Sequence, residues 1–168
     1  MSVAQSILHS RGASSHATRW SMIRFRPPRI AMTFAAVAAI ADWFLGGRLR
    51  VTPPMPAVGS LLALAGLSVM LRGWWLFKQA HVAICPTAKT ARLITHGIYG
   101  WTRNPMYLGL VLMVLALAAG FGTLPWYAAA GAFFVVIDRT FCRFEEAKLA
   151  AGFGEEYARY AQQVRRWL

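Results

Sequence analysis

The sequence predicts an all-α, multi-pass membrane protein with about four transmembrane helices and one further helix on the membrane surface. The first observation is composition: hydrophobic residues make up 57% of the 168 residues and charged residues only 14%, a balance typical of membrane proteins. The second is the grouping of the apolar residues into runs of membrane-spanning length. The runs predict spans at about 30–46, 57–78, 105–121 and 124–141, and an interfacial helix at about 155–167. We assign them to a single domain, 30–168, that follows a basic tail, 1–29.

The first two spans are predicted from apolar runs whose limits are set by proline, glycine and charge. The first run begins after Pro27-Pro28 and ends at Gly46-Gly47. Eighteen helical residues reach roughly 27 Å, which is enough to cross the hydrocarbon core. A short proline-containing loop follows, and the second run stays apolar until Arg72.

The third and fourth spans are separated only by a tight turn. Pro105 opens the third run, at the first helical turn, where the missing N–H of proline costs nothing. The fourth run starts near Leu124 and passes without a break into Asp138. We therefore expect this helix to emerge from the lipid and to continue as far as the glycines at 152 and 154.

The last helix is predicted from an apolar stripe with the 4-3-4-3 spacing of an amphipathic helix. The stripe consists of Phe153, Tyr157, Tyr160, Val164 and Trp167. We expect this helix to lie along the membrane surface.

The basic residues predict the orientation of the chain. With four spans both termini lie on one side, and if that side is the cytosol, all of the 18 lysines and arginines except Arg48 and Arg50 are cytosolic or at cytosolic span ends. This is a strong positive-inside bias. The net charge of +12 is thus explained by the lipid bilayer as partner, and the basic stripe with stacking aromatic residues expected of a nucleic-acid-binding protein is not found.

The tail and the two cysteines carry less information. Residues 1–29 are rich in arginine and contain no acid, which is compatible with a transit peptide, but a cytosolic or surface-lying tail is favoured because an apolar segment and a cleavage pattern are lacking. Cys85 and Cys142 form no spacing signature. We predict free thiols and no metal site.

Two polar segments stand out against the apolar background. The first runs from 95 to 109 and the second is Arg143-Phe144-Glu145-Glu146. Charged groups beside a membrane span are costly and are functional candidates by default. The simpler interpretation is a polar loop and an ordinary girdle of snorkelling side chains. We predict instead that the two segments meet at one membrane face and enclose a small charged ligand.

The same two segments resemble known motifs. Residues 103–109, Arg-Asn-Pro-Met-Tyr-Leu-Gly, resemble the Arg-His/Asn-Pro-x-Tyr-x-Gly motif of the isoprenylcysteine carboxyl methyltransferase family, which groups with the phospholipid N-methyltransferases. Residues 143–149, 153–160 and 164–167 resemble the carboxy-terminal signature of that family. The resemblance covers about residues 90–168, and Asn104 stands where many members carry histidine.

The resemblance implies an integral membrane methyltransferase that uses S-adenosyl-L-methionine on a hydrophobic or lipid-like acceptor, such as an isoprenylcysteine carboxylate or an amino-phospholipid. It implies the following cofactor-binding residues: Tyr99, Arg103, Asn104, Pro105, Tyr107, Gly109, Glu145 and Glu146. Arg143 or Arg139 would face the acceptor. If the acceptor is an amine or a phenol a base is needed, and Glu146 is the candidate.

Two alternatives stay open at this point. One is an NADPH-dependent membrane reductase of the sterol reductase type, and the other is a non-catalytic membrane scaffold. The sequence does not identify the methyl acceptor, because the first two spans contain no recognisable motif that would specify it. The oligomeric state is likewise not predicted.

Overall fold

The computed structural model describes residues 27–79 and 93–168, and within these ranges the regular structure is helical. The α-helices are α1 Pro27–Leu45, α2 Pro56–Gln79, α3 Pro105–Phe121, α4 Leu124–Val136, α5 Arg143–Phe153 and α6 Glu155–Gln163. A 3-10 turn, Gly97–Gly100, precedes α3, and a π-helical turn, Ile137–Cys142, joins α4 to α5. The predicted all-α class is confirmed, while residues 1–26 and 80–92, which include Cys85, lie outside the described part of the chain.

The helices match the predicted apolar runs closely. The limits of α1, α2 and α3 agree with the predicted spans to within three residues, and α3 begins at Pro105 as expected. Two helices, α1 and α2, are long and apolar enough to cross a membrane, whereas α3 is apolar but has 17 residues. The number of four spans and the orientation of the termini stay predictions.

Two loops meet at one end of the bundle, which we call the loop end. The backbone N–H of Val51 donates to the carbonyl of Gly122 at 3.0 Å, and the N–H of Leu124 donates to that of Leu49 at 2.8 Å. Gly122 has a φ of +73°, and a Cβ there would collide with the carbonyl oxygen of Thr52. Because the helices run up and down, the segment before α3 and the π-helical turn lie at the opposite end, which we call the site end.

Helices α2 and α3 pack closely through glycine. Gly59, Gly66 and Gly73 are the buried residues of α2 and recur every seven positions, so they lie along one helix face. A Cβ on Gly66 would lie 2.7 Å from the carbonyl oxygen of Gly109, and one on Gly59 would lie 2.8 Å from that of Ala116. Small residues let two helix backbones approach in this way. The packing is antiparallel and fixes the start of α3 against the end of α2.

The main core lies between α1, α3 and α4. Phe133 of α4 is fully buried, and its ring meets that of Phe34 edge-on at a centroid distance of 6.0 Å. Ala38, Val114 and Trp126 belong to the same buried cluster. This core holds α4 in place, so that the polar residues that follow it are presented at the site end.

The end of the chain differs from the sequence prediction. Helix α6 stops at Gln163 rather than near 167, and Val164 is already extended, with φ −119° and ψ 129°. The apolar stripe of α6 packs inward, since Tyr157, Tyr160 and Val164 are buried within the protein. The physical reason is tertiary: the backbone carbonyls of Arg165 and Arg166 accept hydrogen bonds from Arg103 and Thr102, just before α3.

The glycine contact between α2 and α3 gives a first prediction. Gly66→Leu should lower the thermal unfolding midpoint in detergent, because the new side chain would overlap the backbone of α3 at a cost of about 1–3 kcal/mol or more. Gly131→Leu is the matched control, since a Cβ at Gly131 meets open space. Equal midpoints for the two variants would contradict the close packing of α2 on α3.

Candidate active site

The segment before α3 is anchored from two sides. The 3-10 turn buries Tyr99, whose ring meets that of Phe77 from α2 at a centroid distance of 5.6 Å. The hydroxyl of Tyr160 from α6 donates to the carbonyl of Tyr99 at 2.7 Å. Helix α6 therefore covers this turn and holds it against α2.

The residues around the start of α3 are hydrogen-bonded to the irregular segment 164–168, which follows α6. The buried hydroxyl of Thr102 donates to the carbonyl of Arg166 at 2.9 Å, and the side-chain amide of Asn104 donates to the same oxygen at 3.4 Å. The N–H of Arg103 donates to the carbonyl of Arg165 at 3.0 Å. Asn104 thus acts in this structure as a bridge between two segments.

Arg103 joins the two predicted polar segments directly. Its Nη2 lies 3.3 Å from Oε1 of Glu146, and both side chains are largely shielded from solvent. Its Nη1 donates to the hydroxyl of Tyr157 at 3.1 Å. The predicted meeting of the 95–109 segment with the Glu145-Glu146 pair therefore occurs in this structure.

Arg166 is the centre of the charge network. Its Nε and Nη2 donate to the two oxygens of Glu146 at 2.9 Å and 2.5 Å, and its Nη1 donates to Asp138 at 3.0 Å. The indole N–H of Trp167 donates to the same oxygen of Asp138 at 3.0 Å. The hydrogen bonds that Arg166 donates to Glu146 raise the pKa of Arg166 well above its ordinary value. This guanidinium is therefore charged at every accessible pH.

The π-helical turn explains why one arginine reaches both carboxylates. Asp138 and Glu146 are eight positions apart, which on a regular α-helix leaves them about 80° out of alignment. A π turn accommodates one extra residue, so the pair returns to within about 20° of one face. The same shift turns Glu145 away from Arg166.

Glu145 has a different environment from its neighbour. It accepts a hydrogen bond from the hydroxyl of Tyr107 at 2.6 Å, and its side chain is exposed. Desolvation by neighbouring protein atoms raises the pKa of Glu145, while the hydrogen bond from Tyr107 opposes the rise. An accessible carboxylate at the junction of the two polar segments is suited to contact a ligand.

Two buried polar atoms of the site have no hydrogen-bond partner among residues 27–79 and 93–168. They are the hydroxyl of Tyr99 and Nε of Arg103. Burial also raises the pKa of Tyr99 above its ordinary value, so its hydroxyl stays protonated. Unsatisfied buried polar groups are costly, and at a site of this kind they are candidates for ligand contact.

The remaining predicted site residues are distributed over three environments. Pro105 and Gly109 are buried where α3 packs on α2, which gives Gly109 a role in helix packing. Arg139 is 66% exposed and lies 3.5 Å from Asp138. Arg143 is exposed on the first turn of α5. The ligand roles of these four residues stay predictions.

Sequence reasoning missed the residues that bind the site together. The sequence patterns assign Trp167 to the apolar stripe, Arg166 to the basic residues and Asp138 to the end of the fourth run, and they predict no contact among the three. The one available signal was the Val-Arg-Arg-Trp string at 164–167, which belongs to the carboxy-terminal signature. That string indicates that Arg166 and Trp167 belong to a functional motif, but it does not predict which carboxylate each of them contacts.

Comparisons with known proteins agree with these motifs. A sequence model of the phospholipid methyltransferase family matches residues 55–156. The protein-S-isoprenylcysteine O-methyltransferase of Tribolium castaneum is 28% identical over 151 residues, which cover 79% of this chain and 49% of that protein. The Lamin-B receptor of Drosophila melanogaster is 27% identical over 154 residues, covering 83% of this chain and 21% of the receptor.

A shorter relative and a solved structure complete the comparison. An uncharacterised protein of Haemophilus influenzae is 44% identical over 64 residues, which cover 38% of this chain and all of that protein. The structure of a eukaryotic intramembrane Ras methyltransferase, an isoprenylcysteine carboxyl methyltransferase, gives a TM-score of 0.49 at 26% identity over 84% of this chain and 52% of that one. The chain spans about half the length of the Tribolium protein.

The contrast between the two glutamates gives a second prediction. Glu146→Gln should lower the stability of the ligand-free protein by about 1–3 kcal/mol, because charge-assisted bonds to Arg166 and Arg103 are lost. Glu145→Gln should leave the unfolding midpoint at pH 7 unchanged or raised. The reason is that a raised folded-state pKa makes the charged form of Glu145 unfavourable in the folded protein.

The pH dependence fixes the sign of this effect. Stability contributed by a carboxyl whose folded pKa is raised is fully present below its unfolded value of roughly 4.3 and is lost as the pH rises through the folded value. Any gain from Glu145→Gln should therefore disappear near pH 4 in thermal unfolding measured across pH. A larger loss of stability for Glu145→Gln than for Glu146→Gln at pH 7 would contradict the assignment of partners.

Proposed function

Because the chain belongs to the phospholipid methyltransferase family, we propose that it transfers a methyl group from S-adenosyl-L-methionine to a hydrophobic or lipid-like acceptor at the cytosolic membrane face. The observation that carries the proposal is the 2.6 Å hydrogen bond from Tyr107 to Glu145. It joins the two motifs of the family in space and leaves an accessible carboxylate at their junction. The family and the two long apolar helices make this a membrane protein.

The open polar groups of the site fit the chemistry of this methyl donor. S-adenosyl-L-methionine, when bound, supplies a methyl group on a positively charged sulfur and also carries a carboxylate, an ammonium group and ribose hydroxyls. Arg103 Nε and the hydroxyl of Tyr99 are donors without a partner in the described part of the chain, and donors of this kind suit a carboxylate. The Glu145 carboxylate suits an ammonium or a pair of hydroxyls.

Each residue then has a defined task in the proposed reaction. Glu145, held by Tyr107, binds and orients the donor. The aromatic faces of Tyr99 and Tyr107 stabilise positive charge by cation–π attraction. Displacement at a methyl carbon depends mainly on alignment and on exclusion of water, and helix α6 contributes to both because it covers the segment before α3 through Tyr160.

Our proposal differs from the sequence prediction in the role of Glu146. Both of its oxygens already accept hydrogen bonds from Arg166, and Oε1 also faces Arg103. A carboxylate engaged in this way is poorly placed to remove a proton from an acceptor. We therefore assign Glu146 to holding Arg103 rather than to base catalysis.

This assignment favours one class of acceptor. A carboxylate acceptor, such as that of an isoprenylcysteine, is already nucleophilic and needs no base. An amino-phospholipid would need one, and Glu145 is then the only accessible carboxylate among the site residues of the described segments. Arg143 and Arg139, both exposed at the same end of the molecule, are proposed to face an anionic acceptor.

Binding of a cofactor product tests the donor. S-adenosylhomocysteine should raise the unfolding midpoint of the detergent-solubilised protein and give a measurable Kd by calorimetry, whereas NADPH should do neither. Glu145→Gln should weaken binding at least tenfold, equivalent to about 1.4 kcal/mol, because the ligand loses a charged partner. Glu155→Gln, at an exposed position on α6, is the matched control and should bind as the wild type does.

The acceptor is tested separately with donor carrying a deuterated methyl group. Labelled product should be found by mass spectrometry with a prenylcysteine analogue or a lipid extract as acceptor. Protection by NADPH instead of S-adenosylhomocysteine would support a reductase and contradict the proposal. Binding of neither ligand, with an intact fold, would favour a scaffold.

A further inference from the structure

Residues 164–168 follow α6 without regular secondary structure and lie between the two halves of the site. On one side their backbone carbonyls accept hydrogen bonds from Thr102 and Arg103, at 2.9 Å and 3.0 Å. On the other side Trp167 packs on Phe134 of α4 at a centroid distance of 5.0 Å. This segment therefore links the start of α3 to α4, which continues through the π-helical turn into α5 and its two glutamates.

The side chain of Arg166 completes the link by charge. Three of its nitrogens donate to carboxylate oxygens, two on Glu146 and one on Asp138. The guanidinium fork matches a carboxylate in this bidentate manner, and a lysine ammonium does not. With 27% of its side chain exposed, Arg166 is shielded enough for these bonds to hold one geometry.

The geometry of Glu146 in turn determines that of Arg103. Glu146 Oε1 accepts from Arg166 and also lies 3.3 Å from Arg103 Nη2. Without Arg166, the negative charges of Asp138 and Glu146 would face each other on one helix side, and Glu146 would be free to change rotamer. Arg103 would then lose the contact that, together with Tyr157, orients its Nε, which has no partner within residues 27–79 and 93–168.

We propose that Arg166 is a positioning residue of the site. Arg166 forms hydrogen bonds with Glu146, and Glu146 in turn positions Arg103. Glu145 does not take part in these bonds and is the carboxylate that contacts the ligand. The two adjacent glutamates thus have different functions, although the sequence presents them as an equivalent pair. This inference rests on the proposed methyltransferase function and adds the residue that organises its donor site.

A thermodynamic cycle tests the proposal with S-adenosylhomocysteine as the probe. Its Kd is measured by calorimetry, well below the unfolding midpoint, for the wild type, Arg166→Gln, Glu146→Gln and the double variant. Arg166→Gln should weaken binding at least tenfold. The Kd of the double variant should not exceed the larger Kd of the two single variants, because the effects of residues that act through one another are not additive. Arg166→Gln combined with Glu145→Gln should instead show losses that multiply.

Two further variants separate positioning from general destabilisation. Arg166→Lys keeps the positive charge but lacks the two-pronged guanidinium, so its Kd for S-adenosylhomocysteine should lie between those of the wild type and Arg166→Gln. This variant also provides the test if Arg166→Gln does not fold. Arg165→Gln alters an exposed neighbour and should bind within twofold of the wild type. Once methyl transfer to an acceptor can be assayed, Arg166→Lys should raise the KM for the donor more than it lowers kcat.

The outcomes distinguish this inference from the function on which it rests. Wild-type affinity in Arg166→Gln, or multiplying losses in Arg166→Gln with Glu146→Gln, would overturn the positioning role while leaving the methyltransferase proposal intact. Failure of the wild type itself to bind S-adenosylhomocysteine would overturn the proposed donor and the positioning role together.

Discussion

The ion pair between Arg166 and Glu146 is the interaction on which the site depends. At 2.9 Å and 2.5 Å it uses both oxygens of the carboxylate, and it recruits Asp138 and Arg103 into one network. Charges beside a bilayer are expensive unless they are paired, so two arginines and two acids satisfy one another. The network brings three segments that are distant in sequence to one place.

The packing of the helices fixes the relative positions of the residues that form this network. The buried glycines of α2 fix the position of α3 along the axis of α2. Gly73, for example, lies directly against Pro105 and Met106 at the start of α3. Tyr107, in the first turn of α3, is thereby fixed relative to α2 and donates a hydrogen bond to Glu145 of α5. A site built from helix ends held in this way is more rigid than one carried by free loops.

Much of the fold could be predicted from apolar runs, but the pairing within the site could not. The limits of α1 to α3 follow from proline, glycine and composition, which are local signals. The choice of Glu146 over Glu145 as partner of Arg166 depends on the phase of the helix, and the π turn at Ile137–Cys142 changes that phase without a local sequence marker. The end of α6 at Gln163 and the packing role of Gly109 depend on tertiary contacts in the same way.

The most direct test of this account is an experimental structure of the protein with S-adenosylhomocysteine bound. We expect the ligand between the segment before α3 and helix α5, in contact with the carboxylate of Glu145, while Glu146 stays paired with Arg166 and Arg103. A ligand bound to Glu146 with Arg166 displaced, or bound away from both glutamates, would contradict the division of roles on which the account is built.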